Sequence, residues 1–228
     1  MFFPEKIISI KPSDKVLEIG PGANPHNRSD VLLEMIYSSD SEYKAQLGHA
    51  GKLITNKKIV FYDGKKFPFE DGEFDYVICS HVIEHVEDPE YFLSEIFRVG
   101  AKGYFEYPLI YYEYLYNINV HQNLIKFDSV NLRYLKKKDL PFSEFLPVQI
   151  FFLESLQKGH VKLVNDLLPL MIEGFEWKEM FKIIRTNNIS DLLWENYSVP
   201  SLIIPPPKIG IFKRMLRKIK NRIYLIIK

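Results

Sequence analysis

Short apolar runs that end at turn residues are the main pattern in the first hundred residues. The run at 15–19 leads into Gly20-Pro21-Gly22, the run at 58–62 stops at Asp63-Gly64, and the run at 74–79 follows a polar turn. Runs of this length that are rich in β-branched and aromatic residues are typical of buried parallel strands. The pattern therefore predicts three strands, two of which end in a glycine turn.

A helical pattern follows the third strand. Asp88 and Pro89 suit the N-cap and the first position of a helix, and apolar residues recur at 92, 93, 96, 97 and 99 before Gly100. This spacing predicts a helix over 89–99, and the run at 102–108 predicts another strand. Strands that alternate with such connections predict an α/β domain with a mostly parallel central sheet.

The position of the second strand depends on a short connection. The stretch between the glycine turn and Asp30 is too short for an ordinary crossover helix if 31–36 is the second strand. Either that helix is lost, or 30–37 is itself the helix and Glu34 is not at a strand end. We favour the strand, because no other convincing β-type run lies between the glycine turn and the run at 58–62.

The composition changes after the predicted strand at 102–108. From about 109 to 200 the chain is rich in Tyr, Phe and Leu. The runs at 124–127 and 130–135 predict a hairpin, and residues 152–187 have a mainly helical pattern. We expect this region to complete the sheet and to form an aromatic-rich elaboration that contributes to substrate binding or to a lid.

The C-terminal residues differ again. Three prolines at 205–207 predict a stiff linker, and residues 208–228 carry eight basic side chains and no acidic one, with apolar residues at helical spacing. Such a helix suits an anionic membrane surface; docking on the domain and RNA binding are the alternatives. The expected organisation is a ligand-binding core at 1–108, the rest of the sheet and the substrate region at 109–204, and the linker and tail at 205–228.

Overall composition narrows the class of protein. The chain has 228 residues, of which 46% are hydrophobic and 26% charged, and its net charge is +1. These values indicate a globular protein without a global field that would attract nucleic acid. A single cysteine, Cys79, excludes an internal disulfide, and neither a signal peptide pattern nor a membrane-spanning apolar stretch is evident. We therefore expect a cytoplasmic protein, with the tail allowing peripheral attachment to a membrane.

Chemically useful residues follow the predicted strands. Gly20 and Gly22 form a turn in which backbone amides approach a ligand closely, which suits a nucleotide or nucleoside cofactor. Pro25 stands where a dinucleotide fingerprint has its third glycine, which argues against NAD or FAD. Glu34 and Asp63 each close an apolar run, and a carboxylate there can accept ribose hydroxyls.

Three ordered blocks carry a family resemblance: V-L-E-I-G-P-G at 16–22, D-G-x-x-F-P-F-x-D-x-x-F-D-x-V at 63–77, and H-V-I-E-H-V-x-D-P at 81–89. Together they resemble the class I S-adenosylmethionine-dependent methyltransferases of the type 11 group, over roughly residues 12–108. The resemblance implies a Rossmann-like methyltransferase fold and S-adenosyl-L-methionine as the cofactor.

The resemblance also assigns cofactor contacts to residues at the ends of the predicted strands. They are Glu18, Gly20 and Gly22 for the methionine part, Glu34 for the ribose, Asp63 and Gly64 for the adenine, and Ser80 and His81 near the sulfonium.

The H-x-x-E-H stretch that begins at His81 also fits one class of zinc peptidases. Such a site needs a helix of several turns, and here a strand precedes the stretch and a new helix follows it closely, so we disfavour a peptidase. Some methyltransferases that resemble this chain bind a divalent ion with an E-x-x-E-H group at this place. His81 replaces the first glutamate, so His81, Glu84, His85 and His121 are an alternative site for an ion softer than magnesium. The favoured interpretation has no metal: Glu84 and His85 bind loop backbone and shape the pocket.

Methyl transfer from a sulfonium is an in-line displacement for which the protein supplies positioning and, for some acceptors, a base. His81 is the first candidate for the base and His121 the second; the alternative for each is a polar pocket residue. Glu106 and Tyr107 are expected to face the acceptor.

The predicted function is S-adenosylmethionine-dependent methyl transfer to a small-molecule, glycan or lipid-linked acceptor. One alternative is a catalytically silent protein of the same fold that acts as an adaptor through its basic tail. A nucleotide-binding oxidoreductase is the third interpretation.

Overall fold

The computed structural model describes residues 1–47, 53–159 and 161–194. Met1–Leu193 forms one compact unit. The described strands are β1 (Val16–Ile19), β2 (Val31–Met35), β3 (Lys58–Tyr62), β4 (Tyr76–Ser80), β5 (Gly103–Pro108), β6 (Asn123–Phe127), β7 (Leu132–Lys136), β8 (Ile172–Trp177) and β9 (Ile183–Arg185). The described α-helices are α1 (Asp40–Leu47), α2 (Pro89–Val99), α3 (Ile110–Tyr116), α4 (Leu146–Gln157) and α5 (Val161–Met171). Short 3₁₀ turns lie at Pro4–Lys6, Lys137–Asp139, Phe142–Phe145 and Ile189–Leu192.

Six strands form the main sheet in the order β3-β2-β1-β4-β5-β8. The first five are parallel, and β8 is antiparallel to β5. The predicted Rossmann-like α/β fold with a mostly parallel sheet is therefore confirmed. The strand order reverses between β1 and β4, because the chain builds β2 and β3 on one side of β1 and then returns to the other side. In open α/β sheets, ligands bind at the carboxyl ends of the two strands that flank such a reversal.

The connection from β1 to β2 contains turns and no helix. Two contacts fasten it: the Gly20 N–H donates to the Leu33 carbonyl oxygen at 2.9 Å, and the Asp30 carboxylate accepts from the Val16 N–H at 2.8 Å. The segment Val31–Met35 is a strand, as we favoured, and its alternative as a helix is wrong.

The helix predicted at 89–99 is confirmed as α2. The Asp88 carboxylate accepts hydrogen bonds from the N–H groups of Glu90 and Tyr91, and Pro89 occupies the first turn, where a missing N–H costs nothing. The apolar side chains of Phe92, Leu93, Ile96 and Val99 on this helix are buried, with Ile96 fully so. The start of α2 is thereby fixed a few residues after β4.

The prediction of a mainly helical region at 152–187 is wrong beyond α5. Residues 172–177 form β8, which pairs with β5 from Ile172 opposite Pro108 to Trp177 opposite Gly103. A Cβ atom at Gly174 would lie 2.2 Å from the Tyr104 hydroxyl oxygen, so this close strand contact requires glycine. Pairing with a strand far away in sequence therefore overrides the local helical pattern.

A smaller sheet has the order β6-β7-β9. The predicted hairpin is confirmed as β6 and β7, although its second strand begins at Leu132 rather than at residue 130. The Asp128 carboxylate accepts from the N–H groups of Val130 and Asn131 and so holds these residues in the turn. Aromatic side chains join the two sheets: the rings of Phe127 and Phe175 stack with centroids 4.1 Å apart.

The predicted proline linker and basic tail lie outside the described residues. Within the part of the chain that is described, no helix is both long enough and apolar enough to span a membrane.

Candidate active site

The glycine loop after β1 has a left-handed backbone at both Gly20 and Gly22, each with φ +59°. A Cβ atom on Gly20 would lie 2.6 Å from Cγ2 of Val82, so glycine is needed there for packing. At Gly22 no heavy atom lies within 4 Å of the position that a Cβ atom would take. The backbone of this loop is thus open to close approach by a ligand, as a nucleoside cofactor requires.

Glu18 fixes the shape of the same loop. Its side chain is buried, and one carboxylate oxygen accepts hydrogen bonds from the His26 N–H at 2.8 Å and the Ser29 hydroxyl at 2.6 Å. Burial raises the pKa of Glu18, and these two hydrogen bonds oppose the shift. The structure therefore places Glu18 behind the loop, where it holds the loop in shape.

The residues predicted to contact the ribose and the adenine lie together at the ends of β2 and β3. Glu34 is buried, which raises the pKa of its carboxyl group. Asp63 is exposed just beyond β3, and its carboxylate accepts from the Lys65 N–H at 3.1 Å. Gly64 has φ +82°, and a Cβ atom there would lie 3.5 Å from Cε of Met35. The structure thus brings these predicted residues to the same edge of the sheet as the glycine loop.

The end of β4 places a histidine between two buried carboxylates. Ser80, the last residue of β4, donates its hydroxyl to Oε1 of Glu106 at 2.9 Å. His81 follows in a left-handed backbone conformation with φ 57°. Residues other than glycine keep this conformation only where the surrounding structure holds them in it. Its Nδ1 lies 3.3 Å from Oε1 of Glu84, and its Nε2 lies 3.1 Å from Oε1 of Glu106.

These contacts set the charge state of the group. Burial disfavours the charged form of His81, but Glu106 and Glu84 outweigh it and raise the pKa of the imidazole. For both glutamates burial would raise the pKa, yet the contact with His81 contributes to lowering each value to about 2. Both ring nitrogens of His81 therefore face carboxylates, so the ring is better placed to carry positive charge than to offer a basic nitrogen.

Glu106 also binds the first residues of the chain. Its two carboxylate oxygens accept from the N–H groups of Phe2 at 2.6 Å and Phe3 at 2.9 Å, and Tyr104 donates its hydroxyl at 2.8 Å. The Phe2 ring meets the His81 ring edge-on, with centroids 5.1 Å apart. The sequence predicted Glu106 at the acceptor side, but it gave no signal for this contact, because the partners are 104 and 103 residues apart along the chain.

Tyr107 points away from Glu106, since adjacent side chains on a strand face opposite sides. Its hydroxyl donates to Oε2 of Glu173 at 2.7 Å, and its side chain is fully buried. We expected Tyr107 beside Glu106 at the acceptor, whereas the structure places it in the core between β5 and β8.

His121 has a carboxylate partner that was not predicted. Its Nδ1 lies 2.5 Å from Oε1 of Glu113, and Oε2 of Glu113 accepts from Nζ of Lys137 at 2.6 Å. The His121 ring meets the His85 ring edge-on at 4.7 Å between centroids. The buried carboxylate of Glu113 thus fixes the His121 ring, and Nε2 is the ring nitrogen that does not contact this carboxylate.

Three of the four residues in the alternative metal set lie close together. Glu84, His85 and His121 each have a ligand atom within 4.8 Å of those of the other two. His81 lies beside Glu84 but outside this group.

A known family matches the part of the chain that carries the glycine loop and the end of β4. The family described as "Methyltransferase domain" matches residues 17–105. This segment is a methyltransferase domain. The match confirms the type 11 family that the sequence blocks predicted, and the cofactor of that family is S-adenosyl-L-methionine.

Individual relatives match the methyltransferase domain in part. Ajmaline N-methyltransferase of Rauvolfia serpentina is 36% identical over 76 residues, which are 32% of this chain and 26% of that protein. Sterol 24-C-methyltransferase erg6 of Schizosaccharomyces pombe is 32% identical over 103 residues, 42% of this chain and 27% of that protein. The chain therefore spans less than a third of the length of either relative.

Solved structures resemble the chain only distantly. The YcgJ protein of Bacillus subtilis is 14% identical, with a TM-score of 0.35 over 52% of this chain and 65% of that one. A likeness at this level adds nothing to the function.

Proposed function

We propose that the protein transfers a methyl group from S-adenosyl-L-methionine to a small-molecule acceptor. The observation that carries the proposal is the open glycine loop at Gly20 and Gly22, at the point where the strand order of the methyltransferase domain reverses. The names of the two relatives, an ajmaline N-methyltransferase and a sterol 24-C-methyltransferase, support a small molecule as the acceptor class.

The described residues divide into a cofactor side and an acceptor side. On the cofactor side, Glu18 holds the glycine loop, while Glu34 and Asp63 lie at strand ends where carboxylates can bind the ribose and the adenine amine. Bound there, the cofactor would supply an activated methyl group, and the protein would supply position.

The acceptor side is built around His81 and Glu106. The ring of His81, held between Glu84 and Glu106, forms a charged wall that would orient a polar acceptor. His121 is the better oriented of the two predicted bases, because Glu113 fixes its Nδ1. The roles of both histidines as bases stay predictions.

Membrane attachment through residues 208–228 is part of the proposal and rests on sequence alone. The proposal also includes a peripheral cytoplasmic location and a glycan or lipid-linked acceptor. The basic tail is the support for both.

Calorimetric titration with S-adenosylhomocysteine, the demethylated cofactor, tests the proposed function. We expect binding that is lost in Gly20→Arg, since an arginine there collides with Val82 and fills the loop. No binding by the wild-type chain would contradict methyl transfer and favour the silent adaptor.

A further inference from the structure

We propose that Glu84, His85 and His121 bind one divalent transition-metal ion, with zinc as the ion that the donor set fits best. The proposal does not depend on methyl transfer, because the three side chains form the site by themselves, and it assigns Nε2 of His121 to the ion instead of to the role of a base.

Glu84 is a buried carboxylate without hydrogen bonds among the described residues. Glu84 has 0% of its surface exposed, and neither of its carboxylate oxygens accepts a hydrogen bond from any residue that the structure describes. The nearest basic atoms to Oε1 are Nδ1 of His81 at 3.3 Å and Nε2 of His85 at 3.9 Å, neither in hydrogen-bond geometry. The imidazole of His81 offsets part of the buried negative charge, but no donor satisfies either carboxylate oxygen, and a bound cation would do so.

The three proposed ligands are spaced closely enough to share one ion. Each offers a ligand atom within 4.8 Å of the others. Around a tetrahedral zinc ion with ligand distances of about 2.1 Å, ligand atoms lie about 3.4 Å apart. Side-chain shifts on the order of 1 Å would therefore close the group around an ion.

Hydrogen bonds already join the segment that carries Glu84 and His85 to the segment that carries His121. The Glu84 carbonyl oxygen accepts from the N–H groups of Gln122 at 2.7 Å and Asn123 at 3.0 Å. The Gln122 side chain donates to the His85 carbonyl oxygen at 2.8 Å. These bonds hold His121 against the Glu84-His85 pair before any ion arrives, so little order has to be gained on binding.

His121, one of the two histidine ligands, already has a carboxylate partner in Glu113. Metal-binding histidines usually donate their second ring N–H to a carboxylate or carbonyl group, which fixes the tautomer. Nδ1 of His121 has this contact with Glu113, and Lys137 neutralises the other oxygen of the same carboxylate. Nε2 is then the nitrogen with a free lone pair, as an incoming ion requires.

The donor set indicates the class of ion. Two imidazoles and one carboxylate suit zinc and its first-row neighbours better than magnesium, which prefers oxygen ligands. Three protein ligands leave a fourth position for water or a substrate atom. Because Glu84 also contacts His81, the ion would lie next to the acceptor side of the proposed active site.

Metal content and cobalt spectroscopy test this site on the full chain. The protein is freed of metal with a chelator, dialysed and titrated with zinc against a chromophoric competitor, and separately with cobalt. We expect one ion per chain and a visible cobalt spectrum of low-symmetry, four- or five-coordinate type. Magnesium should not compete at equal concentration.

Variants assign the ligands. Glu84→Gln and His121→Asn should lower zinc affinity at least about 100-fold, and Glu113→Gln about 10–100-fold as an outer partner. His26→Asn, which changes a histidine of the glycine loop, is the matched control and should bind zinc as the wild type does. Circular dichroism shows which variants are folded. The cobalt spectrum of the wild-type chain tests the site even where a variant does not fold.

Several outcomes would overturn the proposal. They are the lack of a stoichiometric ion in the wild-type chain, an unchanged affinity in folded Glu84→Gln and His121→Asn, and an equal loss in His26→Asn. Binding of S-adenosylhomocysteine is measured separately, so failure of the metal site and failure of methyl transfer can be told apart.

Discussion

Gly20 and Gly22 share one left-handed backbone conformation but face different surroundings. A side chain at Gly20 would collide with Val82 in the turn after β4, whereas a side chain at Gly22 would enter open space. The sequence placed both glycines in one ligand loop. It could not separate their roles, because Val82 reaches Gly20 only once β1 and β4 are paired. Packing thus explains the first glycine, and ligand access is the role that we propose for the second.

Gly20→Ala should destabilise the protein through this collision. We expect a loss of about 1–3 kcal/mol in the free energy of unfolding, as for other overpacked sites. In a Val82→Ala background the added methyl group has room, and the cost should fall to the backbone strain of about 1 kcal/mol. Urea denaturation of the wild type and the three variants in this cycle measures both values. An equal loss in the two backgrounds would show that the collision with Val82 is not the cause.

The two histidines that could act as a base also differ in their surroundings. The sequence named His81 as the first and His121 as the second candidate for a base, on the evidence of their residue type and place. The structure gives His81 two carboxylate neighbours and His121 one, from Glu113 in α3. A partner in another element cannot be found from spacing along the chain, so the two roles could not be separated from the sequence.

At the scale of elements, local signals predicted local structure. The N-cap Asp88 and the first-turn Pro89 defined α2, and β3 has the bounds that its apolar run indicated. The strand β8 was missed because its sequence, I-E-G-F-E-W, continues a helical region and becomes a strand only by pairing with β5. Elements set by their own residues were therefore predictable, and an element set by a distant partner was not.

The strand β8 also anchors the N-terminal segment. Oε1 of Glu176 accepts from the N–H groups of Ile8 and Ser9 and from the hydroxyls of Ser9 and Tyr76. Burial raises the pKa of Glu176, but these hydrogen bonds outweigh it and lower the pKa. A carboxyl group with a lowered pKa stabilises the fold above its unfolded value, and this contribution is lost as the pH falls through the folded value.

Glu176→Gln should therefore lose about 1–3 kcal/mol of unfolding free energy near neutral pH, where the charged carboxylate accepts these bonds. The difference from wild type should shrink as the pH falls below about 4.5. Urea denaturation at several pH values measures it. Glu154→Gln is the control, because Glu154 forms an exposed pair with Lys158 and its substitution should cost little. A difference that does not change with pH would contradict the role of the Glu176 charge.

For the molecule as a whole, the order of strands explains where the predicted residues meet. Reversal of the strand order at β1 and β4 brings the glycine loop, Ser80 and the ends of β2 and β3 to one edge. The sequence predicted this edge because each residue follows its own strand. It did not predict the cover formed by Phe2 and Phe3 on Glu106, which depends on the folded path of the chain.

The basic tail adds a prediction for the whole chain. Removal of residues 208–228 should reduce co-sedimentation with anionic vesicles, because eight positive charges are lost. Neutral vesicles are the control, and added salt should weaken the binding of the full chain. Equal sedimentation of the full and shortened chains with anionic vesicles would contradict the membrane role.

We propose that the glycine loop holds S-adenosyl-L-methionine, and a matched pair of glycine variants tests this assignment most directly. Gly22 and Gly72 both have positive φ and open space at the Cβ position, and Gly72 lies in the turn before β4, away from the loop. The backbone strain of an added methyl group is therefore similar at the two positions, and only Gly22 should feel the cofactor.

In calorimetric titrations with S-adenosylhomocysteine, the wild-type chain and Gly72→Ala should bind with similar affinity. Gly22→Ala should bind at least about tenfold more weakly, a loss of about 1.4 kcal/mol. No binding by the wild-type chain, or equal binding by both variants, would contradict the assignment of this loop to the cofactor.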